Sequence, residues 1–529
     1  MIRILVADPL AKEGIETLKA AKDVEVVVKT GMSEDELASL IGQFDGMIIR
    51  SESKITAKVL ANPGRLKAIA RAGVGVDNVD LKEATRKGIL VMNTPGGNTL
   101  SAAEHTMALI LALCRNVVPA CNSLKAGKWD RKRYMGNQLH NKVLGIIGLG
   151  RIGMAVARMA RGFGMKILGY DPLAVPTEAT KLGVEICDRL ERIFEDSDII
   201  TVHVPKNEQT VNMIGAEQIA MMKPTVRLIN VARGGIINED ALYDALAKGR
   251  IAGAALDVFS QEPPTDNRFA KFDNCVVTPH LGASTEEAQI EVATEAAQIL
   301  LEALQGKTIR NAVNAPSITG AMPTIVAQYS ELALRIGRLI STIAVGQVRE
   351  LEVQYRGTIA EMDVKYVTLN LLIGLLQRHF EMPLNMVNAP ALAKERGISV
   401  QESKNPEPKD VSASITAKVV TDRMVRVVTG SVFGNKLLRI IEIDGFKLEM
   451  TPQGTVVVIF NEDRPGVIGA VGTVCGRHKI NIGTMGVAQK LEEQKAVLAV
   501  SLNQEPTPQV IEELAKLDFV NELYVCRLD

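Results

Sequence analysis

Lys142-Val143-Leu144-Gly145-Ile146-Ile147-Gly148-Leu149-Gly150-Arg151-Ile152-Gly153 is the stretch from which the rest of the chain can be read. A short apolar run ends in Gly-x-Gly-x-x-Gly, and a helical pattern follows over 155–163. Residues 166–170 then read as a second strand that ends in Asp171. This is a βαβ unit in the register a dinucleotide needs. Gly148 permits the tight turn, Gly150 lets the backbone approach a pyrophosphate, and Gly153 allows the helix to pack closely on the strand. The helix start, with Arg151 and Ile152, offers unpaired N–H groups and the positive end of its dipole to phosphate. Asp171 can accept from the ribose hydroxyls and would repel a 2′-phosphate, which favours NAD over NADP. A lone glycine motif is weak evidence. Strand, helix, second strand and acidic end in one register are much stronger.

Working outward, 529 residues exceed what one core can serve, so three or four domains are expected. With 47% hydrophobic and 23% charged residues, the composition is that of a soluble globular protein. Lysine plus arginine and aspartate plus glutamate balance at 61 each, so no global basic field argues for nucleic acid. Cys114, Cys121, Cys187, Cys275, Cys475 and Cys526 show neither Cys-x-x-Cys nor a zinc spacing, so no metal is expected and a reduced, cytoplasmic setting is. Residues 1–8 read as a strand rather than a signal peptide, because a charge interrupts the apolar run at once. No apolar run is long enough to span a bilayer.

Upstream of the glycine motif, β-type runs at 2–7, 24–28, 46–49, 66–70 and 89–92 alternate with helical patterns, one opened by the capping box Ser33-x-x-Glu36. This predicts a parallel, doubly wound sheet. Two of its strand ends carry arginine beside small residues: Arg50-Ser51 and Arg71-Ala72-Gly73-Val74-Gly75-Val76-Asp77. Ligands bind at such ends, so an anion site is a candidate there, against the alternative of solvated arginines. Residues 101–114 read as a buried helix with a second box, Ser101-x-x-Glu104. Residues 125–134 hold the only tryptophan and the cations Arg131, Lys132 and Arg133: a solvated loop, a phosphate clamp or a subunit contact. After Asp171, strands at 199–204, 227–230, 251–256 and 275–277 continue the alternation, and a long helix at 286–305 closes it. Residues 317–452 mix helices with strands at 350–355, 415–420, 426–430 and 438–443, interrupted by a Pro/Lys/Glu loop at 404–409. From 454 the order β-α-β-β-α-β follows, which is the ferredoxin-like pattern.

Three residues carry the case for an enzyme: Arg233, Glu262 and His280. Removing hydride from a secondary alcohol needs a base for the hydroxyl proton, and histidine suits that role near neutral pH. A carboxylate such as Glu262 would orient the imidazole and stabilise its protonated form. A guanidinium such as Arg233 can grip a carboxylate through two parallel hydrogen bonds. Singly, each has an ordinary alternative, since Glu262 can be a turn residue before Pro263 and His280 a loop histidine.

Their surroundings decide the matter. Asn230-Val231-Ala232-Arg233-Gly234-Gly235, Asp257-Val258-Phe259 with Glu262-Pro263, and Thr278-Pro279-His280-Leu281-Gly282 resemble the three catalytic blocks of the D-2-hydroxyacid dehydrogenases, in that family's order. Arg71 to Asp80, Asn93-Thr94-Pro95-Gly96-Gly97-Asn98 and His280 to Thr285 resemble a long, phosphate-recognising branch with an intervening domain and a C-terminal ACT domain. The resemblance implies a Rossmann-type NAD domain (98–287) inserted in a discontinuous, flavodoxin-like substrate domain (1–97 and 288–316). An α+β intervening domain (317–452) and a ferredoxin-like ACT domain (453–529) would follow.

It further implies NAD-dependent oxidation of 3-phosphoglycerate to 3-phosphohydroxypyruvate, the entry to serine synthesis, by a homo-oligomer, a tetramer. His280 would be the proton acceptor and donor, Glu262 its partner and Arg233 the substrate-binding cation. Gly148, Gly150, Arg151, Ile152, Gly153, Asp171, Val204, Val231, Ala232, Arg233, Asp257, His280, Gly282 and Ala283 would meet the cofactor. Arg50, Ser51, Arg71, Asn98 and Arg133 would meet the substrate, Arg133 across a subunit boundary. In the ACT unit, Asn461, Asp463 and Asn481 match amino-acid-binding positions of serine-inhibited relatives, which carry a histidine and an asparagine where Asn461 and Asp463 stand. Both serine feedback and a plain pairing module fit that pattern. Two other readings use the same residues: a D-2-hydroxyacid dehydrogenase or glyoxylate/hydroxypyruvate reductase with another substrate, and an NAD-sensing binding protein.

Overall fold

The structure, a computed structural model, describes residues 1–173, 177–317, 323–434 and 436–529. Its backbone is organised around four sheets. The first is all parallel, in the spatial order Val24–Val28, Ile2–Val6, Gly46–Ile49, Ala68–Arg71, Leu90–Asn93. Its strands are apolar on both faces because both are covered. Leu5, Met47, Ile69 and Val91 face one core, with Leu37 and Phe44. Ile4, Ile48, Ala68 and Leu90 face the other, where Val292, Ala296 and Leu300 of the helix Glu286–Leu304 complete the packing. The chain therefore leaves this sheet, builds the second, and returns. The capping box at Ser33 is present: its amide donates to Glu36 Oε2 at 2.8 Å and the Glu36 amide to Ser33 Oγ at 3.3 Å.

The second sheet runs Cys275–Val277, Gly253–Leu256, Arg227–Asn230, Ile199–Val202, Val143–Ile147, Lys166–Tyr170, Val184–Ile186, again all parallel. The order turns back between Val143–Ile147 and Ile199–Val202, the switch point at which open α/β sheets bind dinucleotides. The helix Thr99–Cys114 packs across this sheet and begins two residues earlier than the box at Ser101 predicts. Ser101 lies inside the helix, and its hydroxyl donates to the Gly282 carbonyl at 2.9 Å instead of capping. Among the described residues no single helix is long and apolar enough to cross a membrane.

The third sheet, in the order Ser399–Asn405, Val348–Gly357, Ala413–Thr421, Val425–Phe433, Leu437–Ile443, Phe446–Met450, is antiparallel apart from its first pair. The helices Thr324–Ile343 and Lys365–Leu376 share its core. Lys404 and Asn405, predicted as loop, end its edge strand. The fourth sheet, Ile482–Lys490, Lys495–Leu502, Thr455–Glu462, Val520–Arg527, is antiparallel. Its own helices cover one face through Val471, Val474 and Leu514, while Val456, Val458 and Ala499 face the core of the third sheet.

Candidate active site

The first two sheets point their carboxyl ends at one another, and a cleft of about 820 Å³ lies between them. Arg50, Ser51, Arg71, Gly73, Gly75, Asp77 and Asn98 line it from the chain preceding the second sheet. Lys206, Arg233, Glu262, His280 and Ala283 line it from the other side.

His280 and Glu262 meet. Nδ1 of His280 lies 2.6 Å from Glu262 Oε2, which leaves Nε2 as the ring nitrogen free to work on a ligand. The other carboxylate oxygen, Oε1, accepts from the Phe259 amide at 2.9 Å. Burial pushes the Glu262 carboxyl upward, but the hydrogen bonds from His280 and Phe259 outweigh it and hold the group below its ordinary range. The backbone of His280 is left-handed, at φ 56°, a conformation that costs a residue with a side chain about 1–3 kcal/mol and gathers at functional sites. Asp257 enforces it. Its main-chain oxygen accepts from the His280 amide at 2.8 Å, and its carboxylate accepts from the Leu281 and Gly282 amides at 2.7 and 2.8 Å. Thr278 Oγ1 at 2.6 Å and His105 Nε2 at 3.1 Å complete the shell of a fully buried carboxylate. In this structure Asp257 thus acts on the site by shaping the 278–282 loop and does not itself line the cleft.

Arg233 follows the strand Arg227–Asn230. Buried Asn230 forms the turn, accepting from the Ala232 amide at 3.0 Å and donating to the Arg233 carbonyl at 2.9 Å. Across the cleft, Arg71 donates from Nε to Asn78 Oδ1 at 3.3 Å. Burial, followed by repulsion from Arg233 and Arg50, pulls its pKa down to about 10. A cluster of cations at odds with its surroundings in this way is relieved by an anion. Arg50 is fixed through its main chain, whose amide donates to Asp8 Oδ2 at 2.6 Å. Asn98 lines the cleft with a buried Oδ1 that has no hydrogen-bond partner. Arg133 is elsewhere: it is exposed, pairs with Asp273 at 2.7 Å, and does not line the cleft of its own chain.

The cofactor cradle fits a dinucleotide on three counts. Gly148 has φ 97°, and a Cβ on Gly153 would stand 2.0 Å from the Gly148 carbonyl, so helix and strand are as close as the motif demands. Gly150 caps the helix Arg151–Gly162 with no side-chain acceptor, and nothing lies within 4 Å of where its Cβ would be. The helix therefore presents its first amides to open space, the requirement for a phosphate. Asp171 accepts from the Leu149 amide at 2.8 Å through Oδ2 and from the Leu173 amide at 2.9 Å through Oδ1, which sets its carboxylate beside the cradle. Val204 stands against Gly148, and Val231 against Gly282.

In the ACT unit, buried Asn461 donates to the Glu462 carbonyl at 2.6 Å while its Oδ1 has no partner. Asp463 accepts from Gln489 at 2.9 Å. Asn481 is not with them. The register sets Ile482 level with Thr455, whereas Asn461 is level with Gln489, so Asn481 lies at the far end of the sheet, roughly 20 Å along the strands.

Sequence reasoning quoted Asp77, Asn78 and Asn230 within motifs but gave them no role, and it missed Lys206 and His105. Asp77, Asn78, Lys206 and Asn230 follow or end a parallel strand at the ligand-binding edge, and His105 stands in a largely buried helix. Those were the available signals.

The fold and this geometry define a class, the D-2-hydroxyacid dehydrogenases: residues 107–282 match the D-isomer specific 2-hydroxyacid dehydrogenase NAD-binding domain. Solved structures agree. A D-lactate dehydrogenase of Aquifex aeolicus, solved with NAD and lactic acid, superposes at TM-score 0.53 and 30% identity, over 60% of this chain and all of that one. The TT0316 protein of Thermus thermophilus does so at TM-score 0.55 and 33% identity, over 59% of this chain and all of that one. The remainder is matched by the D-3-phosphoglycerate dehydrogenase intervening domain over 325–444 and the ACT domain over 455–519. The D-3-phosphoglycerate dehydrogenase of Methanocaldococcus jannaschii is 41% identical across the full length of both chains. That of Synechocystis is 40% identical over all of this chain and 95% of its own. The chain belongs to the D-3-phosphoglycerate dehydrogenase family.

Proposed function

We propose that this protein oxidises 3-phospho-D-glycerate to 3-phosphohydroxypyruvate with NAD, the first step of L-serine synthesis. The observation that carries the reading is the cleft itself. It sets the His280–Glu262 pair and Arg233 opposite Arg71 and Arg50, so one small anion with a carboxylate at one end and a phosphate at the other would find cations at both. Arg233 would hold the substrate carboxylate; Arg71, Arg50, Ser51 and Asn98 would receive the phosphate end. The alcohol between them falls to His280, whose Nε2 takes the hydroxyl proton while Glu262 stabilises the imidazolium. The chemistry that a bound NAD supplies is acceptance of the hydride from the alcohol carbon.

The same reading includes a cytoplasmic homo-tetramer. The helix Val117–Lys125 buries none of its residues, and Val117, Leu124, Trp129 and Met135 are exposed around it, a surface suited to a second copy. Arg133 lies in that stretch and would reach a partner's cleft. Serine would bind where two ACT sheets pair, with Asn461 and Asp463 of one chain facing Asn481 of another; the buried Asn461 Oδ1 with no hydrogen-bond partner supports this.

The test is steady-state formation of NADH from 3-phosphoglycerate and from D-glycerate, each with and without millimolar L-serine. We expect kcat/KM to be roughly 100-fold or more lower for D-glycerate, because half-buried cations would lose their anion. Equal values would favour a general D-2-hydroxyacid dehydrogenase or a glyoxylate/hydroxypyruvate reductase. NAD binding without turnover of any 2-hydroxy acid would favour a sensor.

A further inference from the structure

Arg233 reaches across the cleft and meets a carboxylate of its own chain. Its Nε donates to Asp77 Oδ2 at 3.0 Å and its Nη1 to the Ala232 carbonyl at 2.8 Å. Nη2 lies against Gly75, where an added Cβ would stand 1.9 Å from it. Asp77 itself is 66% exposed and pairs with no other cation among the described residues. The next residue repeats the arrangement: Asn78 Oδ1 takes the Nε of Arg71, whose Nη1 would be 2.3 Å from a Cβ added to Gly73. Consecutive side chains thus each take the Nε of one cleft arginine, and both guanidinium groups lie Nη-first against a glycine that lines the cleft.

We propose that Asp77 is a positioning residue for substrate binding: it anchors Arg233 by Nε so that Nη2, beside Gly75, is aimed at the substrate carboxylate. The inference rests on the reading of Arg233 as the substrate cation. A guanidinium on a long flexible stem recognises a ligand well only if its orientation is set before the ligand arrives. The negative charge of Asp77 also offsets the crowding of three cations, since it opposes the repulsion that Arg71 feels from Arg233 and Arg50. Gly75 belongs to the same device, because any side chain there would displace Nη2.

An alternative role for the same contact is competition, in which Asp77 imitates the substrate carboxylate and must be displaced. The two roles predict opposite signs. Asp77→Ala and Asp77→Asn are assayed beside the unsubstituted protein and Arg233→Ala, with inorganic phosphate as a probe of the other end of the cleft. Loss of one hydrogen bond to a charged group corresponds to about a 10-fold rise in KM for 3-phosphoglycerate in Asp77→Ala. Asp77→Asn, which keeps an acceptor for Nε, rises less. The fall in kcat stays smaller than the rise in KM, KM for NAD holds its value, and inhibition by inorganic phosphate does not weaken. An unchanged or lower KM in both variants overturns the proposal. So does parallel weakening of phosphate inhibition, which would mean that the loop had merely collapsed. Full turnover by Arg233→Ala would overturn the reading of the site and the inference together; the other two results sink the inference alone.

Discussion

Arg233 in the cleft and Arg426 in the C-terminal half are both ion-paired, yet they are held differently. Arg426, on the strand Val425–Phe433, is 7% exposed and fully engaged. Its Nε donates to the Ile343 carbonyl at 3.0 Å, its Nη1 to Asp444 at 2.7 Å and its Nη2 to Glu522, and the group sits 4.5 Å above the Phe460 ring. Glu522 and Phe460 belong to the fourth sheet, so one guanidinium locks the third and fourth sheets together. Arg233 keeps Nη2 open on a cleft and takes a single carboxylate partner. Engagement of all three guanidinium nitrogens makes a cation structural; one open nitrogen on a cleft makes it a site.

That contrast can be broken by substitution, and the largest effect belongs to the cleft. His280→Ala should lower kcat about 100- to 10,000-fold, the range lost with a general base, while the urea midpoint falls only by what the pairing with Glu262 contributes. Arg426→Ala should do the reverse, costing about 3–5 kcal/mol in urea unfolding because Asp444 is left without its cation in a partly buried site, with kcat of the folded enzyme retained. Loss of turnover at full stability in Arg426→Ala would erase the distinction. Glu262→Gln stands between the two. Because the folded protein holds the Glu262 carboxyl below its unfolded value, its pairing with His280 stabilises above the ordinary carboxylate range and fades as pH falls through the lowered value. Stabilities of wild type and Glu262→Gln, measured by urea unfolding from pH 7 downward, should therefore converge in acid; a gap that persisted would show that the charge was not the cause. His203 has no effect at neutral pH and gives a third kind of solution, a group that burial keeps neutral, with its pKa pulled from 6.5 to about 4. Below pH 6.5 the unfolded chain binds a proton that the folded one does not. Wild type should lose up to about 1.4 kcal/mol per pH unit down to about pH 4. His203→Gln should remove that slope.

How much of this was legible depended on whether the requirement was local. Gly148, Gly150 and Gly153 could be read from spacing because the cradle is made of consecutive backbone. Arg233, Glu262 and His280 each follow a strand at the ligand-binding edge, but singly each had an ordinary alternative, and the resemblance of the blocks around them to the D-2-hydroxyacid dehydrogenases is what singled them out. Asp77 could not, since its partner is 156 residues away and only the facing of two sheets brings them together. Ser101 looked like a cap from its spacing to Glu104, but the helix begins earlier and its hydroxyl serves a tertiary contact. The strand Ser399–Asn405 left no periodic signal, because as an edge strand nearly every side chain is exposed. Asn481 matched a motif, yet the sheet order inserts a strand between it and Asn461 and reverses its end.

The return of the helix Glu286–Leu304 to the first sheet has a consequence for the birth of the protein on the ribosome. The five strands of residues 2–93 emerge first, yet one face of their core lacks Val292, Ala296 and Leu300 until the whole second sheet has been made. At ordinary rates of synthesis that interval is on the order of ten seconds. Throughout it, Ile4, Ile48 and Leu90 lie on a face covered only in part, by Leu18 of the helix Lys12–Lys19, while the later-made second sheet is built from one uninterrupted stretch of chain. The earliest residues out of the tunnel are thus among the last to finish folding.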